Sequence, residues 1–98
     1  MIPTVGKLYK VNSEMLKAME WFVFDVVDKD FKKLTKETIE ITVTIKDEDE
    51  ILLCVANTVL IKSRYHREIL GAVFLFKNKL VFLRTADHDL IVPAEEEY

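Results

Sequence analysis

Any chemistry in this chain would have to come from very few side chains. His66 and His88 are its only imidazoles and Cys54 its only thiol. Asp87-His88-Asp89 sets a carboxylate on either side of a histidine, and a carboxylate can orient an imidazole for metal binding or base catalysis. Neighbours on an extended chain point to opposite faces, however, and no second histidine stands near, so a surface turn is the better reading. Ser63 precedes His66 by three residues, but no strained elbow or oxyanion-hole glycines accompany a nucleophile-and-base pair. Cys54 lies in an apolar run without a cationic neighbour, which keeps a thiol protonated and inert. With two glycines in all, the chain has no phosphate-cradling loop. Asp47-Glu48-Asp49-Glu50 lacks the glycine and the ligand spacing of a calcium loop and reads as a solvated turn. These residues predict no catalytic centre, no metal and no cofactor, hence a protein that is not an enzyme.

Binding chemistry is better represented. Lys62, Arg64, Tyr65 and Arg67, with His66 among them, set cations around an aromatic ring, as phosphate contact with base stacking requires. They belong to a basic stretch. Residues 51–84 carry Lys62, Arg64, Arg67, Lys77, Lys79 and Arg84 against Glu68, a net +5. Residues 85–98 carry Asp87, Asp89, Glu95, Glu96 and Glu97 with no basic residue, a net −5, and the whole chain is −3. Such segregation orients charged partners. Lys77 and Lys79 would extend the basic patch only if their turn lay beside the loop, and a meander places successive turns at opposite ends. A nucleic-acid-binding module using Lys62, Arg64, Tyr65 and Arg67 is therefore the alternative functional reading.

The elements that must position these residues are organised around Ser13–Leu34. Read at about 100° per residue, Met15, Met19, Phe22, Val23, Val26 and Val27 share one side, while Glu14, Lys17, Asp25, Asp28, Lys29 and Lys32 share the other. Asn12 or Ser13 supplies an N-cap. The spacing predicts one long amphipathic helix, with Trp21 and Phe24 anomalous on its polar side. A rival reading ends the helix near Glu20 and makes Trp21–Val27 a strand, since that run is rich in aromatic and β-branched residues.

Strands flank this segment. Thr4–Val11 reads as a short edge strand with Gly6 as a bulge. Ile39–Lys46 alternates cleanly, with Ile39, Ile41, Val43 and Ile45 on one face, and predicts a half-buried strand. Ile51–Ile61 and Ile69–Phe76 are apolar on both faces, the first interrupted at Asn57-Thr58. Lys77-Asn78-Lys79 predicts a hairpin turn into Leu80–Arg84, and Leu90–Val92 adds a last strand before Pro93.

The expected fold is thus α+β, a long amphipathic helix packed on a four- to five-stranded antiparallel sheet in the order β-α-β-β-β-β. That order resembles the cystatin-like architecture in outline. The inhibitory motif Gln-x-Val-x-Gly is absent, so the resemblance implies topology and no activity. The ending Asp89-Leu-Ile-Val-Pro93 is similar to the last strands of small SH3-like barrels, and such a barrel with a helical insertion is the alternative fold.

One helix covers one face of a sheet, which leaves the far face of two-sided apolar strands exposed. The expected function is therefore non-catalytic protein binding, most simply as a homodimer. The expected contact residues are Leu70, Phe74, Phe76, Val81 and Leu83 on the sheet, with Trp21 and Phe24 on the helix. Residues 1–93 read as one domain and 94–98 as an acidic tail. Apolar content of 50% excludes disorder for the body of the chain. No apolar run approaches the roughly 20 residues of a membrane span. The N-terminus shows no signal-peptide pattern, and an unpaired cysteine fits a cytoplasmic location.

Overall fold

The computed structural model describes residues 2–37, 39–63, 65 and 67–94. Arg64 and His66 of the basic loop, Thr38, and Glu95 to Tyr98 of the expected tail lie outside the described residues. The elements are β1 (Leu8–Val11), α1 (Ser13–Met19), β2 (Phe22–Val27), β3 (Thr35–Lys36), β4 (Ile39–Glu40) and β5 (Thr42–Ile45). There follow β6 (Ile51–Lys62), β7 (Glu68–Phe76), β8 (Lys79–Arg84), a 3₁₀ segment (Thr85–Leu90) and β9 (Ile91–Pro93). Seven strands form one antiparallel sheet in the order β5-β2-β8-β7-β6-β1-β9, and β3 and β4 make a separate small hairpin.

The long helix does not exist, and the α+β expectation falls with it. The fold is mainly antiparallel sheet, with 54% of the described residues in strands and 14% in helices. α1 starts as expected, the Asn12 side chain accepting hydrogen bonds from the Glu14 and Met15 amides at 3.1 and 3.3 Å. It stops at Met19, where Glu20 takes a positive φ of 72° and donates its N–H back to the Leu16 carbonyl. The following residues obey a period of two. Phe22, Phe24 and Val26 are buried, while Val23 is exposed and Asp25 half-buried. Six residues are too few to separate that period from a helical one by pattern alone. Paired strands on both sides decide for sheet, with β8 on one flank and β5 on the other. The rival reading, a strand after Glu20, is the one this segment follows. The SH3-like alternative shares with the structure only its predominance of strand, because this sheet has seven strands and leaves β5 and β9 unpaired with each other.

The sheet curls around its larger core. Tyr9, Val11, Phe22, Phe24, Ile45, Leu52, Cys54, Phe74, Phe76, Val81, Leu83 and Ile91 meet in one cluster to which every strand of the large sheet contributes. Leu16 of α1 enters the same cluster, so the short helix plugs the curl instead of covering a flat sheet. Burial of each large side chain contributes about 1.5–3 kcal/mol.

Two local features shape the strands. The interruption expected at Asn57-Thr58 is a bulge: the β6–β7 register shifts between Cys54 and Val59, and Thr58 has φ +57°. The Asn57 amide donates to the Pro3 carbonyl at 2.9 Å and ties the N-terminal segment to the bulge. The turn at Lys77 and Asn78 has φ +46° and +66°, the two-residue hairpin geometry expected of asparagine there.

The strand expected over Ile39–Lys46 is broken. The Ile41 N–H bonds to the Leu34 carbonyl and its C=O accepts from Val26, so the chain leaves β2 at Ile41 to form the β3–β4 hairpin. Of the four alternating residues only Ile45 is fully buried, and Ile39 is 69% exposed. Gly6 sits in a turn at φ +86° ahead of β1, not in a bulge within it.

Candidate interaction surface

Strand register decides which side chains share a face. Leu8 lies opposite Leu53, Leu53 opposite Leu75, Leu75 opposite Leu80, and Leu80 opposite Val27. Directly opposed residues project to the same side, so these residues form an apolar row across β1, β6, β7, β8 and β2. The row lies on the outer face, opposite the side that carries Phe74 and Val81 into the large core.

The two ends of that face differ. At one end Val27, Phe82, Val73 and Ile61 are buried, with Phe31, Val59, Ile69 and Leu80 packed against them. The cover is the excursion between β2 and β5. Its turn is held by the Asp28 carboxylate, which accepts from the Asp30 and Lys32 amides at 2.8 and 3.0 Å. The bond from Lys32 is the main reason the Asp28 carboxyl is held below its ordinary 3.8. The turn brings Phe31 to φ +62°, a costly conformation for a bulky residue. Lys33 then bridges Asp25 of β2 at 3.3 Å and Glu40 of β4 at 3.2 Å, fastening the excursion to the sheet. Under the cover, β7 carries Gly71. A Cβ there would run into the Leu83 carbonyl and the Phe82 ring, so only glycine lets Phe82 lie across the strand.

The other end is bare among the described residues. Leu8 is 40%, Ile51 44% and Leu75 39% exposed. Leu53 between them is half-buried. At its rim Lys77 bridges Glu50 at 2.7 Å and stands over the Phe76 ring.

The expected contact residues are distributed differently. Phe24, Phe74, Phe76, Val81 and Leu83 are interior, and only Trp21 and Leu70 remain exposed. Trp21 immediately precedes β2, whereas Leu70 lines a recess with Ile2, Pro3, Leu83 and His88. Both faces of the sheet carry buried apolar clusters, and the sheet residues expected at the contact have the inward parity. In a strand, a shift of one residue exchanges the faces. The turn at Asn78 makes the register legible, since Phe76 must then oppose Lys79 and Leu75 oppose Leu80. It does not say which side is in.

The basic residues are partly assembled. Lys62 lines a recess with Lys32, Lys33, Leu60 and Ser63. Tyr65 is 77% exposed beside it in the chain, and Arg67 is exposed too. Lys33 is already bridged to two carboxylates. Lys77 and Lys79 lie at the far end of β7, as the meander requires.

The residues weighed for catalysis have structural work. The Ser63 hydroxyl accepts from the Tyr65 and Arg67 amides at 3.3 Å each and holds the loop. Asp87 does not orient His88; it pairs with Arg84 at 2.8 and 3.2 Å. His88 meets Asp89 at 3.2 Å and places Nδ1 2.8 Å from the Thr85 carbonyl. Burial pushes the Cys54 thiol up, and the residue is enclosed in the large core. Among the described residues no three His, Cys, Asp or Glu side chains converge as metal ligands, and no helix is long and apolar enough to cross a membrane. No family model, curated protein or solved structure matches the chain.

Proposed function

We propose that this chain is a non-catalytic protein-binding domain that docks a partner on the bare end of its outer sheet face. The row Leu8–Leu53–Leu75, with Ile51 beside it, carries this reading. Large apolar side chains aligned across adjacent strands lose water together when a partner covers them, each contributing about 1.5–3 kcal/mol if fully buried. The Lys77–Glu50 pair at the rim contributes to orientation more than to affinity. A cytoplasmic site of action belongs to the same proposal, since a lone thiol in the core suits a reducing compartment. The test is recovery of a partner from extract of the source cells. A partner retained at about 0.5 M salt and lost on Leu75→Asp, with the circular dichroism unchanged, supports the reading. A partner retained by Leu75→Asp and Leu53→Asp alike overturns it.

A second reading rests on the recess at Lys62, where the fold brings Lys32 from a distant segment to the basic loop. Nucleic acid bound there would contact phosphate through Lys62 and Arg67 and stack a base on Tyr65. Its affinity should fall by orders of magnitude between about 50 and 200 mM salt, and Arg67→Ala should weaken it without touching the leucine row.

A further inference from the structure

We propose that two copies of this chain join edge to edge through β5, in one antiparallel register centred on Val43. The two ends of the large sheet are unequal. β9 is three residues long and ends in Pro93, a residue that blunts an edge. The distal part of β6, beyond its pairing with β1, is broken by the bulge at Thr58. β5 has no proline, no bulge and no lysine within Thr42–Ile45. Among the described residues its backbone bonds only to β2.

The direction of its backbone groups follows from one bond. Val26 donates to the Ile41 carbonyl at 2.8 Å, in the same register as Phe24 with Val43 and Phe22 with Ile45. Antiparallel ladders alternate. Ile41, Val43 and Ile45 therefore turn their backbone groups to β2, and Thr42 and Thr44 turn theirs outward. A second strand can satisfy those groups only where its own outward residues lie opposite. For a two-fold pair of β5 strands, the register that uses the whole strand sets Thr42 of each copy against Thr44 of the other. Val43 then faces Val43 across the axis. Both threonines are exposed. The same register runs Lys46 of each copy towards the end where β5 gives way to Glu40 of β4, a carboxylate already bridged to Lys33. Because the leucine row lies away from β5, the dimer leaves both bare faces open, and its failure would be distinct from the failure of the docking proposal.

The geometry gives a direct test by cross-linking. Residues facing each other in a non-hydrogen-bonded pair have Cα atoms about 4.5 Å apart, within disulfide reach. Val43→Cys should form a disulfide-linked dimer under mild oxidation, and Thr42→Cys should not. The parent chain should give none, as Cys54 is buried. In sedimentation velocity the parent should dimerise. Thr44→Pro, which removes an outward N–H and leaves the ladder to β2 intact, should raise the dissociation constant at least tenfold with the circular dichroism unchanged. Leu75→Asp should leave dimerisation as it was. A parent that stays monomeric at millimolar concentration, a dimer indifferent to Thr44→Pro, or equal cross-linking of Val43→Cys and Thr42→Cys would each overturn the proposal.

Discussion

The two ends of the outer sheet face are built from the same kinds of residue and meet different fates. One carries Val27, Val73, Phe82 and Ile61 and is roofed by Phe31. The other carries Leu8, Ile51, Leu53 and Leu75 and, among the described residues, has no roof. The roof needs a specific apparatus: an aspartate that staples a turn, a bulky residue at positive φ, and a lysine held between two carboxylates. An apolar sheet face is thus not self-sufficient, and the described residues supply intramolecular cover for one end of this one and not the other. The contrast separates residues kept for stability from residues available for binding.

The comparison breaks most sharply under the roof. Gly71→Ala forces a methyl group into the Leu83 carbonyl and the Phe82 ring. We expect a loss near the upper end of the ~1–3 kcal/mol typical of overpacking, read as a lower midpoint in urea unfolding. Phe31→Ala removes the roof itself. Full deletion of a buried phenylalanine costs about 3–5 kcal/mol; Phe31 is only half-buried and is relieved of some strain, so about 1–2 kcal/mol is expected, together with increased binding of an apolar dye.

Asp28→Ala should cost less than either, since the turn is solvent-exposed. Its sign with pH is fixed. A carboxyl held below its ordinary 3.8 in the folded state adds stability above that value and loses it as pH falls through the lowered one. The thermal midpoints of the parent and of Asp28→Ala should therefore differ at neutral pH and converge in acid once the pH has fallen through the lowered value. Equal gaps at both pH values would show that the carboxylate is not what holds the turn. The smallest effect is expected on the bare end. Leu75→Ser should change stability by no more than about 0.5 kcal/mol, as surface substitutions do, while reducing partner binding. A large loss of stability there would mean that the two ends are equivalent after all.

The apolar character of both faces of Ile51–Ile61 and Ile69–Phe76 was legible in the sequence, and so were the interruption at Asn57-Thr58 and the turn at Asn78. Each depends on local chemistry: β-branched and aromatic runs, an interruption by polar residues, an asparagine that tolerates positive φ. The candidate surface was legible only as an expectation. The count of two-sided strands raised the expectation of an open apolar face, but it did not name that face's residues. Phe74 and Leu75 are neighbours of similar hydrophobicity, and only the curl of the sheet sends one inward and the other outward.

Composition and local pattern alone determined that this chain folds, that it places a hairpin at Lys77-Asn78, and that its strands carry more apolar surface than one layer can hide. Tertiary structure decided that Phe22–Val27 is a strand, because β8 and β5 offer ladders on both its sides and a six-residue window fits either period. It decided that the alternating run from Ile39 is broken at Ile41, because the chain is drawn away to roof the outer face. It decided which side of each strand is buried, because a sheet's inside is set by the direction in which it curls. That direction depends on all seven strands at once.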